Sequence, residues 1–220
     1  MNFDPLFLTF KLALITTVIL LIITVPISYW LTYTKSRSKF LIETIITLPM
    51  VLPPSVLGFY LLVSFGRNSP MGEFLYDNFG AYLPFSFTGL VIGSVIYSLP
   101  FMVNPVHSGL QNLSVSLMEA SRTLGKSNWT TLVRVLLPNI KPSIFTGIVL
   151  SFAHTVGEFG VVLMIGGNLD STRVASIAIY DSVNKMDYAS AHQFSLLLLA
   201  ICFVLLASVY LFNRRGVRYL

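Results

Sequence analysis

Residues 12–33 read LALITTVILLIITVPISYWLTY, 22 positions without one charged side chain. As a helix rising ~1.5 Å per residue this stretch runs ~33 Å, enough to cross the hydrocarbon core of a bilayer. Residues 44–65 repeat the pattern over another uncharged run of 22, and residues 85–106 and 194–212 follow. A fifth apolar stretch, residues 142–165, contains a single acidic residue, Glu158. With 55% hydrophobic and 10% charged residues in 220, a soluble core cannot hide this much apolar surface. The first run is too long for a secretory signal and lacks a small-residue cleavage site, so it reads as a true first span. The fold class is therefore all-α, a polytopic membrane protein with about five transmembrane helices, read as one domain over residues 1–220.

The loop charges set the orientation. Lys35, Arg37 and Lys39 follow span one; Arg122, Lys126, Arg134 and Lys141 lie between spans three and four; Arg214, Arg215 and Arg218 close the chain. These ten of the fourteen basic residues fall on one side, which is cytoplasmic by the positive-inside rule. The N-terminus is then outside, the C-terminus inside, and the number of spans odd. Scattered over short loops, the formal charge of +5 reflects topology and not nucleic-acid binding. Residues 172–190 carry Asp181, Lys185 and Asp187, each costing ~2.5–3.5 kcal/mol near a bilayer centre. They read as an amphipathic helix on the outer surface and not as a sixth span.

Several short patterns carry no chemistry. Gly125-Lys126-Ser127 looks like the end of a phosphate-binding loop, but Ala120 stands where that motif needs glycine. His154 and Glu158 are four apart, yet no second histidine completes a zinc-ligand pattern, and no catalytic set of serine, histidine and carboxylate is evident. No metal site is expected. Cys202 lies in an apolar run and, as the single cysteine, forms no intrachain disulfide. Gly89 and Gly93 have the spacing that lets membrane helices approach closely, within one subunit or between two.

The informative polar segment spans residues 115–138. Glu119-Ala120-Ser121 is followed by three residues, Gly125, nine more, then Val135-Leu136-Leu137-Pro138. A short helix over residues 117–124 is ended by a left-handed turn at Gly125. Ser127 caps a second helix through Trp129, Leu132 and Leu136, which Pro138 stops. This segment resembles the cytoplasmic coupling loop of the permeases of ATP-binding-cassette (ABC) importers: Glu-Ala-Ala, three residues, Gly, nine residues, Ile-x-Leu-Pro. Ser121 and Val135 are mild departures from that pattern. The resemblance implies a type I importer permease fold in which Glu119, Ala120, Ser121, Gly125, Leu137 and Pro138 couple to a separate ATPase.

Three further segments narrow the resemblance to the molybdate branch. They are Leu48-Pro49-Met50-Val51-Leu52-Pro53-Pro54-Ser55-Val56-Leu57-Gly58; Gly157-Glu158-Phe159-Gly160, with Met164 to Asn168 after it; and Thr172-Arg173 with Ile177-Ala178-Ile179-Tyr180-Asp181 and Asp187-Tyr188-Ala189. Sulfate and thiosulfate permeases share the Gly-Glu-Phe-Gly stretch. Pro53, Pro54, Ser55, His154, Gly157, Glu158, Phe159 and Gly160 are the candidate path or gate residues. Prolines at 49, 53 and 54 leave carbonyls unpaired and bend span two, which is tolerable against protein or a water-filled cavity. Glu158 is costly in lipid, so it is expected to face the interior, pair with a partner or stay protonated, and His154 one turn away is its nearest candidate partner within the subunit. Ser55, Asn104, Ser151 and Thr155 are candidates for a weak polar route.

The resemblance further implies a homodimer with the path between subunits, two ATPase subunits beneath and an extracytoplasmic molybdate-binding protein above. The chain is then no enzyme and holds no cofactor, ATP and magnesium residing in the ATPase. It sits in the plasma (inner) membrane of a prokaryote. Tungstate or sulfate import is the rival within this class. A stand-alone channel or secondary carrier is the rival outside it and has no need of the coupling loop.

Overall fold

The computed structural model describes residues 3–216, with side chains through residue 212. Of the basic tail, Arg218 and the side chains of Arg214 and Arg215 lie outside the described residues. All regular elements among those described are helical. Helix α1 (Asp4–Tyr33) is the first span and begins eight residues before the charge-free run. Helices α2 (Lys39–Val51) and α3 (Pro54–Phe65) occupy the second apolar stretch, and α4 (Pro70–Phe79) is a short helix capped by Ser69. Helix α5 (Phe87–Gln111) is the third span.

The polar segment forms α6 (Val115–Thr123), α7 (Asn128–Thr131), a π-helical turn (Leu132–Leu136) and α8 (Leu137–Asn139). Then come α9 (Lys141–Gly157), α10 (Gly160–Gly166), α11 (Ala175–Asn184) and the long α12 (Tyr188–Gly216). Among the described residues three helices, α1, α5 and α12, are long and apolar enough to cross a membrane, and up to five spans result if α2 with α3, and the α7–α8 arm with α9, each count as one bent span.

Two expected spans are broken. The second is not one bent rod, because α2 and α3 meet at 113° and the chain turns back on itself. The cause is local. A residue before proline is pushed out of the helical region, and both Leu52 (ψ 139°) and Pro53 (ψ 133°) are extended. Pro49, by contrast, is accommodated inside α2. The fourth expected span divides at Glu158, which is extended (φ −69°, ψ 134°), leaving α9 and α10 on either side.

The core lies among α1, α5, α9 and α10. Leu12 of α1, Leu90 and Val91 of α5 and Val162 of α10 pack with Val174 and Ile177. Gly93 faces inward as well: a Cβ there would stand 2.7 Å from Ile165 Cδ1, so this small-residue pair serves packing within the subunit. The opposite faces of α1 and α12 present Phe7, Leu14, Ile22, Leu199 and Phe203, apolar side chains suited to lipid.

Helix α11 corrects the expectation of a surface-lying helix. Ten residues are too short to span, as expected, but Ala175, Ile177 and Ala178 are fully buried. They are wedged against Leu6 of α1 and Phe194 of α12 and do not lie on the bilayer. Asp181 holds this helix together by bonding both Arg173, just before it, and Lys185, just after it, the latter at 2.9 Å. With Lys185 donating a hydrogen bond and Arg173 beside it, the Asp181 carboxyl is held below the usual aspartate range.

Candidate functional site

The two chain breaks meet. Pro54 at the start of α3 lies against Gly160 at the start of α10; a Cβ at Gly160 would come within 2.6 Å of Pro54 Cβ. One turn on, Gly58 is closed in by Met164 and Val161, so α3 and α10 run side by side in the same direction. Beside this contact lies an open cavity of about 600 Å³ lined by Pro54, Ser55, Gly157, Glu158, Phe159 and Gly160, with His154, Ala153 and Tyr97 completing the wall. Of the candidate path residues, Pro53 alone is not in the lining, though it caps α3 next to it.

Glu158 is 4% exposed, and its side chain is held from α5: Ser94 Oγ donates to Oε2 at 3.0 Å. Oε1 has no hydrogen-bond partner, and among the described residues the carboxyl forms no ion pair. His154 is not its partner. Glu158 lies beyond the last turn of α9, so the i, i+4 relation of a continuous helix fails. His154 Nδ1 instead lies 2.9 Å from Ser98 Oγ, and its ring stacks on Phe101 at 3.9 Å between centroids. Ser98 also reaches Thr155 Oγ1 at 3.0 Å, and Thr155 in turn donates to the Ser151 carbonyl at 2.9 Å.

Of the candidate polar route, Ser55 lines the cavity, while Ser151 and Thr155 are buried between helices and Asn104 is exposed elsewhere on α5. Tyr97, Ser94 and Ser98 were not evident in the sequence. The Ser94/Ser98 pair, four apart on α5, is the signal that points to a polar helix face.

Chemically, the cavity offers hydroxyl and imidazole groups and the N-terminal end of α3, with the Glu158 carboxyl turned to Ser94 in the same wall. The backbone dipole of α3 presents partial positive charge there. Such a wall suits weak, transient contact with an anion.

The polar segment forms a compact hairpin at the other end of the bundle. Gly125 has φ +68°, Lys126 N donates to the Ser121 carbonyl at 3.1 Å, and Gly125 N to the Arg122 carbonyl at 2.9 Å. These are the paired bonds of a Schellman turn. Ser127 caps α7 as expected, accepting from Thr130 N at 3.2 Å. Pro138 does not stop the second helix, which continues to Asn139. Proline lacks the N–H that the Arg134 carbonyl would need, and the preceding turn widens to the π form that relieves the clash.

The two arms are joined by a buried 2.7 Å hydrogen bond between Ser121 and Thr131. Leu132, Leu136 and Ile140 anchor the hairpin on Val106 and Leu110 of α5, with Tyr29 and Tyr33 of α1 against them. Glu119, Ala120, Gly125 and Pro138 are exposed, and Leu137 is half-buried. Leu124 and Trp129, 74% and 71% exposed, leave the tip uncovered by the other described residues.

The sequence pattern described as binding-protein-dependent transport system inner membrane component matches residues 24–217. This chain belongs to that family. As such an inner membrane component it is a multi-pass protein of the inner membrane. It is 45% identical over 204 residues to the molybdenum transport system permease protein ModB of Azotobacter vinelandii, covering 92% of this chain and 90% of that one. It is 35% identical over 176 residues to a probable sulfate transport system permease protein cysT of Chlorella vulgaris, covering 78% and 66% respectively. In fold, this inner membrane component is similar to a bacterial ABC transporter involved in the import of alginate. The TM-score is 0.78 at 16% identity, covering 96% of this chain and 78% of that one.

Proposed function

We propose that this chain is the transmembrane permease subunit of an ABC importer that carries molybdate into the cytoplasm. The observation that carries the reading is the 45% identity to a molybdenum permease over 92% of the chain, a span long enough to include both the cavity segments and the hairpin. The cavity walls fit the substrate class, since a tetrahedral oxyanion meets hydroxyls and the α3 N-terminus without being gripped by a cation.

In this reading the whole chain acts as one membrane domain, paired with a second copy so that the open cavities face a shared path. The hairpin docks on an ATPase subunit, which binds ATP and magnesium; the permease holds no cofactor and catalyses no reaction. Glu119, Ala120, Gly125, Leu137 and Pro138 form the coupling surface, and buried Ser121 supports it from within through its bond to Thr131. Pro53, Pro54, Ser55, His154, Gly157, Glu158, Phe159 and Gly160 form the gate. The hairpin end is cytoplasmic and the N-terminus outside, where an oxyanion-binding protein delivers its load. Closing of the ATPases pushes the hairpins and rocks the helices.

Sulfate import is the second reading, supported by the 35% identity to a sulfate permease. Uptake of labelled molybdate by cells with and without the chain, challenged with unlabelled tungstate or sulfate, decides between them. Loss of uptake on deletion, with competition by tungstate and not by sulfate, is the expected result. Unchanged molybdate uptake with reduced sulfate uptake would overturn the substrate assignment.

A further inference from the structure

Helix α11 is tied to the break between α9 and α10 without belonging to either helix. Its own start is fixed on α1, where Thr9 Oγ1 accepts the Ala175 N–H at 2.8 Å. One residue later, Ser176 Oγ donates to the Glu158 backbone carbonyl at 2.6 Å. A helix leaves its final carbonyls without internal partners, and Glu158 follows the last turn of α9, so Ser176 supplies a bond that the broken span lacks. One turn further, the ring of Tyr180 meets that of Phe159, with centroids 5.1 Å apart. Ser176 and Tyr180 are four apart and share a face. Between them, they hold both non-helical residues of the break.

The Asp181 bonds to Arg173 and Lys185 brace the helix along its length, and the buried contacts of Ala175 and Ala178 with Leu6 and Phe194 seat it at the end of the bundle opposite the hairpin. Helix α11 is thus a braced body with two attachments to the cavity wall.

We infer that α11 is the arm through which contact at this end of the bundle sets the backbone at Glu158 and Phe159, with Ser176 as the positioning residue. The inference rests on the proposed function, in which the binding protein arrives at this end. A push on α11 moves the Glu158 carbonyl through one hydrogen bond and the Phe159 ring through one face contact. The same displacement alters the wall of the cavity.

The test uses the complete complex of this chain, its ATPase and its binding protein in proteoliposomes. ATP hydrolysis is measured with and without molybdate-loaded binding protein. Ser176→Ala is expected to lower the ratio of stimulated to basal rate about fivefold, the size of one lost hydrogen bond, with complex assembly and basal rate unchanged. Ser176→Thr, which keeps the hydroxyl, restores the ratio. A purely structural role would lower both rates together.

Should the alanine variant fail to assemble, Tyr180→Phe and Tyr180→Ala ask the same question: the first keeps the ring contact and the ratio, the second loses both. A wild-type ratio in Ser176→Ala or Tyr180→Ala overturns the inference and leaves the proposed function standing. A wild-type complex whose ATPase ignores the loaded binding protein overturns both.

Discussion

Ser94 of α5 donates a 3.0 Å hydrogen bond to the carboxyl of Glu158, joining the middle of one span to the break in another. Glutamine at 158 keeps an acceptor for Ser94 and nearly the same shape, whereas alanine leaves the buried hydroxyl without its partner. An unsatisfied buried group costs ~1–3 kcal/mol. Glu158→Gln is therefore expected to retain oxyanion uptake within a few-fold of wild type. Glu158→Ala is expected to lose most of it and to unfold at lower temperature in detergent. Equal behaviour of the two variants would show that the bond does not hold the cavity wall.

Gly160 and Gly157 flank the same break and predict opposite outcomes. A methyl at Gly160 would stand 2.6 Å from Pro54 Cβ and 3.3 Å from the Ser55 nitrogen, whereas one at Gly157 meets nothing within 4 Å. Gly160→Ala is expected to destabilise by ~1–3 kcal/mol, the cost of overpacking, and Gly157→Ala to stay within ~0.5 kcal/mol of wild type. Thermal unfolding of the two purified variants checks this.

The turn at Gly125 tests the hairpin by conformation alone. A side chain at this position has open space around it, so what valine meets there is the φ of +68°, which costs a β-branched residue most. Gly125→Val is expected to abolish co-purification with the ATPase while leaving membrane insertion intact. Gly125→Asn, which tolerates the left-handed region, should retain a large part of it. Undiminished pull-down by the valine variant would remove the hairpin from the coupling role.

The brace between Ser121 and Thr131 replaces a position where the coupling pattern of importer permeases has alanine. Loss of the serine hydroxyl leaves Thr131 still bonded to the Ser127 carbonyl at 3.0 Å, so the cost of Ser121→Ala should be small, ~0.5–1.5 kcal/mol. A double-mutant cycle with Thr131→Val, read by thermal unfolding, isolates the pair.

Acid should weaken the brace along α11. The Asp181 carboxyl is held low chiefly by the Lys185 hydrogen bond and also by the Arg173 charge. Its stabilising effect is therefore complete above the ordinary aspartate value of about 3.9 and disappears as pH falls through the lower, folded value. Asp181→Asn is expected to lower thermal stability at pH 7, and the difference from wild type should shrink as the pH drops below about 4. A gap that persists in acid would mean that the two cations do not matter to this helix.

Of the two breaks only the bend in span two was legible, because the Pro53-Pro54 pair disfavours helix at Leu52 and Pro53; the break at Glu158 lay inside a stretch read as one continuous helix. The direction of the chain after the break was not legible, since a pair of prolines marks a corner without fixing its 113° angle. The two cavity-lining segments were readable as separate stretches, and their contact through Pro54 and Gly160 emerges only in three dimensions.

Partners across long separations were the hardest. Ser94 and Ser98 reach residues 64 and 56 positions away, and a serine in an apolar span carries no mark of its acceptor. The expected pairing of His154 with Glu158 failed for the converse reason. It presumed a continuous helix through a residue that ends one.

The corners at Leu52–Pro53 and Glu158–Phe159 also determine what kind of machine part α3 and α10 form. Two short rods, α3 and α10, are locked flank to flank by Gly58 and Gly160, and each begins at a two-residue joint. Rotation about such joints changes a few backbone torsions and spares every hydrogen bond inside the rods. Within the proposed function, a thrust from either membrane face would reach the cavity wall as a swing about these joints and not as a bend of the rods.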